Sequence, residues 1–131
     1  LAIVAKRRVS DTETETVSVI GKVRGKTVLL VDDLTETAGT LVSAARLLRR
    51  RGAKKIIAAV SHCVLNDLGA KRMRKSNIDE LISTDTVPRP EIKGLKLTTL
   101  SVAGLLGEAI KRIHTNSSVT SLFEFDGVRI G

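Results

Sequence analysis

The sequence predicts an α/β protein with a parallel sheet flanked by helices, and three observations support this class. Short β-rich segments alternate with helical patterns along most of the chain, as in parallel βα units. Three candidate strands, at residues 1–5, 28–31 and 56–60, are continuously apolar, which is typical of strands covered on both faces. The 131 residues, 42% of them hydrophobic, suffice for one packed domain but not for two of ordinary size. We therefore expect one hydrophobic core.

Six short segments have the composition of strands. In chain order they are residues 1–5, 17–20, 27–31, 55–60, 80–83 and 95–100. The apolar residues between them repeat at helical spacing in two longer segments, and both of these helices should lie on a sheet. The first covers residues 39–51, with Gly52 as its C-terminal stop and with apolar positions Leu41, Ala44, Ala45 and Leu48. The last has apolar positions Val102, Leu105, Leu106, Ala109, Ile110 and Ile113.

Two further segments have weaker patterns. Residues 66–75 are predicted to form a helix with a basic solvent face, and residues 87–94 contain two prolines and are predicted to form a loop. The only cysteine, Cys63, has no disulfide partner within the chain and offers no Cys-based metal site, so we expect a structural thiol.

The charge balance favours anionic partners. The chain has 22 Lys and Arg against 14 Asp and Glu, a net charge of +8, which suits nucleotides, sugar phosphates or nucleic acid. Only two aromatic residues are present, too few for the stacking platform of single-strand binders. Neither an apolar segment of about 20 residues nor a signal-peptide pattern is found, so we expect a cytoplasmic protein without membrane association.

The segment "VLLVDDLTETAGTL" predicts a ligand site. The apolar strand at residues 28–31 is expected to end at Asp32 and Asp33, and a helix should begin near Thr40. Ligands of open α/β sheets bind at this edge, and the free backbone N–H groups of a helix start favour a phosphate at residues 37–40. The two aspartates then face sugar hydroxyls or a divalent cation. The alternative is that they merely end the strand and that Thr37 or Thr40 is an ordinary N-cap.

The stretch "VDDLTETAGT" resembles the phosphoribosyl diphosphate loop of type I phosphoribosyltransferase folds, and specifically that of ribose-phosphate pyrophosphokinases, also called PRPP synthetases. The resemblance runs from Leu1 to about Phe123. The other segments that carry it, in the family's order, are "AIVAKRR", "VIGKVRGKTVLLVDD", "LLRRRGAKKIIAAVSH", "LISTDTVP", "LSVAGLLGEAIKRI" and "SVTSLF". It implies the C-terminal part of such an enzyme, with a type I phosphoribosyltransferase-like domain truncated at its N-terminal side.

The resemblance also implies an activity and its residues. The family transfers the diphosphoryl group of ATP to the C1 hydroxyl of ribose 5-phosphate with Mg²⁺, which gives PRPP and AMP. Carried over, the "KRR" motif makes Lys6 and Arg8 catalytic, and Asp32 and Asp33 hold the ribose hydroxyls directly or through the metal. The remaining substrate-binding positions are Glu36, Thr37, Ala38, Gly39 and Thr40. Residues 9–19 would form a flexible catalytic lid, although an exposed hairpin is an alternative.

Family relatives assemble as homo-oligomers, typically hexamers, and the apolar tail at residues 122–131 should need cover from a partner. The chain lacks the family's N-terminal half, which supplies much of the ATP site, so we expect the isolated piece to be inactive. Glu36 stands where the family usually has Asp, and "SHCVLND" around His62 departs from the family's pattern, so His62 is predicted to be structural. The alternatives are a non-catalytic regulatory relative of the synthetase and a basic binding module acting through residues 49–51 and 71–75.

Overall fold

A computed structural model describes residues 3–7, 16–88, 92–125 and 128–129 of the chain. They fall into two compact units, which divide between Leu100 and Ser101. The first unit contains a parallel sheet with two helices and a separate hairpin. The second contains a single long helix and a short hairpin.

Four parallel strands make the sheet of the first unit. Strands β3 (Thr27–Thr35), β4 (Lys55–Cys63), β5 (Glu80–Thr84) and β6 (Lys96–Leu100) lie in that order, each hydrogen-bonded to the next. The crossover helices are α1 (Gly39–Arg50) and α2 (Asp67–Arg74). The α/β class predicted from the sequence is therefore confirmed, and the strand order follows the chain order as expected for successive right-handed βα units.

The start of the chain forms a separate hairpin. Strands β1 (Ile3–Arg7) and β2 (Thr16–Ile20) pair antiparallel with each other, with Lys6 opposite Val17. The apolar run at residues 1–5 predicted a strand, and β1 lies within it. The prediction that this strand is covered on both faces stays a prediction.

The buried apolar positions of α1 and the glycine after it explain why this segment forms a helix and where the helix ends. The four predicted apolar positions, at Leu41, Ala44, Ala45 and Leu48, are all buried. The helix ends where predicted, because Gly52 has a φ of 85° and donates its N–H to Arg49 O, while Ala53 N–H reaches Leu48 O. This pair of bonds is the Schellman termination that glycine favours.

The core lies on one face of the sheet. Leu48 and Met73, from the two helices, pack in one buried cluster with Leu30, Ile56 and Leu81 from three successive strands. The sequence predicted that the apolar strands are covered on both faces. This is wrong for β3 within the described residues, since Leu29 and Val31, on its other face, are 56% and 75% exposed. Helices α1 and α2 both pack on the face of the sheet that carries Leu30, Ile56 and Leu81.

The second unit contains α3 (Ala103–His114), a short 3₁₀ helix (Thr120–Phe123) and a hairpin of β7 (Glu124–Phe125) and β8 (Val128–Arg129). Within it, the Arg112 guanidinium bonds Glu108 at 2.9 Å and Ser118 O at 3.0 Å, tying the 3₁₀ segment to the helix. No residue of α3 is buried, so the packing of its apolar face on a sheet stays a prediction. No helix in the described part of the chain combines the length and apolarity needed to cross a membrane.

Candidate functional site

Strand β3 continues beyond the two aspartates. The sequence predicted that it ends at Asp32, but parallel pairing with β4 extends to Thr35, with Asp32 opposite Val60 and Leu34 opposite His62. The strand is longer because β4 also continues, to Cys63, and offers a hydrogen-bonding edge over the whole length. The two carboxylates therefore belong to the strand, and the loop proper is Glu36 to Ala38.

This strand-to-helix loop lines an open pocket of about 110 Å³. Six of the seven predicted substrate-binding residues lie on its wall. The full lining is Asp32, Leu34, Thr35, Glu36, Thr37, Ala38, Gly39, Thr40 and Leu41. Asp33 is the exception. Its Oδ1 instead accepts the following N–H, that of Leu34, at 2.7 Å.

The start of α1 offers backbone donors to this pocket. The first hydrogen bond of the helical ladder runs from Val42 N–H to Ala38 O at 3.0 Å. The N–H groups of Gly39, Thr40 and Leu41 precede it and have no carbonyl partner in the helix. The first turn of α1 contains no acidic residue, so no side chain of that turn repels an anion at the positive end of the helix dipole. Such a turn can bind an anion.

Ala38 gives the turn its shape. It is the N-cap of α1, with φ 55° and ψ 13°, a left-handed conformation that costs a non-glycine residue about 1–2 kcal/mol. A left-handed residue next to a right-handed one points successive N–H groups into a concavity that suits an anion. No side-chain cap is found at this helix start among the described residues, so the alternative that Thr37 or Thr40 is an ordinary N-cap is wrong.

The segment from the end of β4 into α2 supports the loop from outside. Val64 N–H donates to Thr35 O at 3.0 Å and Asn66 N–H to Glu36 O at 3.2 Å, while an Arg72 Nη1–H donates to Thr37 O at 3.1 Å. Asn66 and Arg72 were not among the site residues predicted from the sequence. Neither has a recognisable motif, because both act through backbone carbonyl groups that are 30 or more residues away in sequence.

His62 has a structural partner. It lies near the carboxyl end of β4, where its Nδ1 is 2.8 Å from the Thr86 hydroxyl, and that hydroxyl is 2.9 Å from the Thr84 hydroxyl. Both threonine hydroxyls also donate to Ser61 O. The network joins the ends of β4 and β5, as expected for a histidine with a structural role.

The predicted catalytic residues are only partly described. Lys6 lies in β1, and Arg8 lies outside the described residues, as do residues 9–15 of the predicted lid. Residues 16–19 of that lid belong to β2. The assignment of Lys6 and Arg8 as catalytic, and of residues 9–19 as a lid, stays a prediction.

Metal-ligating side chains are sparse. Over the described ranges, no three His, Cys, Asp or Glu side chains gather closely enough to hold a metal ion by themselves. Magnesium, however, is usually bound through one or two carboxylates together with substrate phosphates. Asp32, on the pocket wall, fits such a shared site.

Relatives with assigned names match nearly the whole chain. It is 46% identical over 125 residues to ribose-phosphate pyrophosphokinase 1 of Listeria monocytogenes strain EGD-e, covering 95% of this chain and 39% of that protein. It is 48% identical over 125 residues to ribose-phosphate pyrophosphokinase of Synechococcus elongatus, covering 94% and 38%. The chain therefore spans about two fifths of the length of these relatives.

A solved structure agrees with this similarity. The crystal structure of phosphoribosylpyrophosphate synthetase from Mycobacterium smegmatis superposes with a TM-score of 0.72 at 40% sequence identity, covering 78% of this chain and 35% of that one. A family profile described as "Phosphoribosyl synthetase-associated domain" matches residues 5–124. Because that match includes most of its length, the chain belongs to the phosphoribosyl synthetase-associated domain family.

Proposed function

We propose that this chain forms the ribose 5-phosphate site of a ribose-phosphate diphosphokinase. In that reaction the C1 hydroxyl oxygen of ribose 5-phosphate bonds to the β-phosphorus of ATP, the bond from that phosphorus to the α,β-bridging oxygen breaks, AMP leaves, and the hydroxyl proton is lost. One observation carries the proposal: the unpartnered N–H groups at the start of α1 share a pocket with the Asp32 carboxylate. The names of the relatives support the same reaction.

The 5-phosphate is assigned to Thr37, Ala38, Gly39 and Thr40. Backbone N–H groups at a helix start and the two threonine hydroxyls can all donate to phosphate oxygens, and hydrogen bonds to an ionised acceptor are about twice as strong as neutral ones. Gly39 has no side chain to separate the phosphate from this backbone. The net charge of +8 adds a favourable long-range field for an anionic sugar.

The ribose hydroxyls are assigned to the carboxylate side of the pocket. A carboxylate repels a phosphate but accepts hydrogen bonds from neutral hydroxyls, so Asp32 and the 5-phosphate should occupy different parts of one sugar phosphate. Asp32 and Asp33 are also the residues that would hold Mg²⁺, which when bound neutralises charge on the phosphate oxygens. Asp33 follows Asp32 in β3 and is not among the residues that line the pocket.

Lys6 and Arg8 are proposed to stabilise the charge on the transferred diphosphoryl group when residues 9–19 close. ATP, a homo-oligomer of hexameric type and a cytoplasmic location belong to the same proposal. The isolated chain is expected to be inactive, because it covers about two fifths of the relatives' length.

Two other functions fit parts of the chain less well. A non-catalytic regulatory relative is favoured by Glu36, whose Oε1 lies 3.4 Å from Asn66 Nδ2 and so has a partner within the protein. A basic binding module is disfavoured, because Arg49 is used internally: its guanidinium bonds Ala53 O, Lys54 O, Asn77 O and the Asp79 carboxylate.

Calorimetric titration of this chain with ribose 5-phosphate and with inorganic phosphate tests the proposal. Both ligands should bind, and Thr40→Val should weaken both about tenfold or more, the range for losing a hydrogen bond to a charged group. Thr27→Val is the matched control, since Thr27 is exposed at the opposite end of β3. Unchanged affinity in Thr40→Val, or no phosphate binding by the unaltered chain, would refute the assignment.

A further inference from the structure

Three successive carbonyl groups, at the end of β3 and in the loop after it, accept hydrogen bonds from the segment that runs from the end of β4 into α2. Thr35 O and Glu36 O accept backbone N–H groups from Val64 and Asn66, whereas Thr37 O accepts a side-chain donor, Arg72 of α2. We propose that Arg72 is a positioning residue for the anion site: it fixes the Thr37–Ala38 peptide group so that the loop presents its N–H donors to the pocket. This inference rests on the proposed function.

Peptide planarity explains how a bond on a carbonyl can act on the anion. In a trans peptide the C=O of one residue and the N–H of the next point in opposite directions. When Arg72 holds Thr37 O towards α2, the N–H of Ala38 must point away from α2. Ala38 lines the pocket, and none of the residues that line it belongs to α2. Arg72 therefore acts through the backbone without touching the anion.

The contact between α2 and the loop depends on a glycine. A Cβ placed on Gly69 would lie 2.1 Å from Glu36 O, far inside any real contact, so only glycine lets α2 approach the loop this closely. The Asn66 side chain caps the same helix, because its Oδ1 accepts Gly69 N–H at 2.9 Å. The cap and the glycine together set the distance over which Arg72 can reach Thr37.

Arg72 also contacts the residues on both sides of the strained position in the turn. Ala38, directly after the braced carbonyl, is left-handed, a conformation that persists only where the surroundings enforce it. The Arg72 Nη1 lies 3.5 Å from the position a Cβ would take on Gly39, on the other side of Ala38. The guanidinium thus lies against both residues that flank the strained one.

The test compares two arginines of α2 in the unaltered chain background. Arg72→Met keeps the length of the side chain but removes the donor and the charge, Arg72→Lys keeps a donor and the charge, and Arg74→Met removes an equal charge two residues away at an exposed position. Two quantities are measured: the dissociation constant for inorganic phosphate, and amide hydrogen exchange at residues 38–41 without phosphate.

Arg72→Met should weaken phosphate binding about tenfold, because binding must then fix a backbone segment that Arg72 no longer holds. It should also speed exchange at residues 38–41 while leaving the core strand β4 unchanged. Arg72→Lys should recover most of the affinity, and Arg74→Met should change it less than about twofold, since exposed charges at a distance are screened. Gly69→Ala should reproduce the faster loop exchange by pushing α2 off Glu36 O.

Equal losses of affinity in Arg72→Met and Arg74→Met would overturn the inference, because charge alone would then explain them. Unchanged exchange at residues 38–41 in Arg72→Met would overturn it as well. If the unaltered chain binds no phosphate, the proposed function fails, and the exchange measurement still decides whether Arg72 orders the loop.

Discussion

Leu29 and Leu30 allow a direct test of whether β3 is covered on one face or on two. They are neighbours on the same strand and point to opposite faces, and Leu30 is 9% exposed whereas Leu29 is 56% exposed. The test replaces each with alanine in turn. Both changes remove the same three carbon groups from the same strand, so differences in β-propensity cancel.

The expected loss of stability follows from burial. Three carbon groups at about 0.8 kcal/mol each give about 2.4 kcal/mol for full burial, and a cavity adds to this, so Leu30→Ala should cost about 2.5–4 kcal/mol. Leu29 is less than half buried and leaves no closed cavity, so Leu29→Ala should cost about 1 kcal/mol or less. The free energy of unfolding from urea titration, followed by circular dichroism, measures both.

Two outcomes would refute the reasoning. If Leu29→Ala costs as much as Leu30→Ala, the second face of β3 is buried in solution, as the sequence predicted, and the one-sided core is wrong. If both changes cost less than about 1 kcal/mol, Leu30 does not belong to a packed core. An unchanged dependence of the unfolding free energy on urea concentration is required in both variants, because a change would mean that the unfolded state differs.

Three further predictions concern single side chains. In the complete enzyme, Lys6→Ala should lower kcat by about 10²-fold or more with little change in KM for ribose 5-phosphate, as for a group that acts in the transition state. Arg7→Ala, at the next position, should be mild, and equal damage from both changes would make this motif a static anchor. Several hydrogen bonds, of which that from Lys96 has the largest effect, lower the pKa of Glu80 to about 2. The contribution of the Glu80 carboxylate to stability should therefore be complete above about pH 4.5 and disappear as the pH falls towards 2. Glu80→Gln should remove that part of the acid dependence in urea titrations from about pH 2 to 6, and a profile identical to that of the unaltered chain would contradict the prediction. Glu36→Asp should leave phosphate affinity unchanged in calorimetry and improve use of the sugar in the complete enzyme; lower activity would mean that Glu36 is adapted to its place.

The helices and strands were largely predictable because their causes are local. Helical spacing at Leu41, Ala44, Ala45 and Leu48 identified the buried face of α1, and Gly52 identified its end. The helix start at the end of the β3–α1 loop was predictable for the same reason. A strand, two threonines and a glycine before a helix are enough to place free N–H groups at the carboxyl edge of a sheet.

The tertiary structure decided what depends on neighbours distant in sequence. The length of β3 was set by β4, which continues beside it, and the pocket wall includes Asp32 but not Asp33. The one-sided core was set by the side on which the two crossover helices pack. A strand's own residues define its alternation, but only its partners define which face is covered.

Arg72 is the clearest example of a contact that the sequence alone could not predict. By itself the sequence determined an α/β fold and the position of the loop before α1, and it placed Arg72 among the basic residues of a solvent-facing helix. Only the folded chain brings its guanidinium to the carbonyl of Thr37, 35 residues earlier, at 3.1 Å. Every residue has a backbone carbonyl that can accept such a hydrogen bond, so no sequence pattern identifies the acceptor. The close approach that permits the bond depends on how α2 packs against the loop.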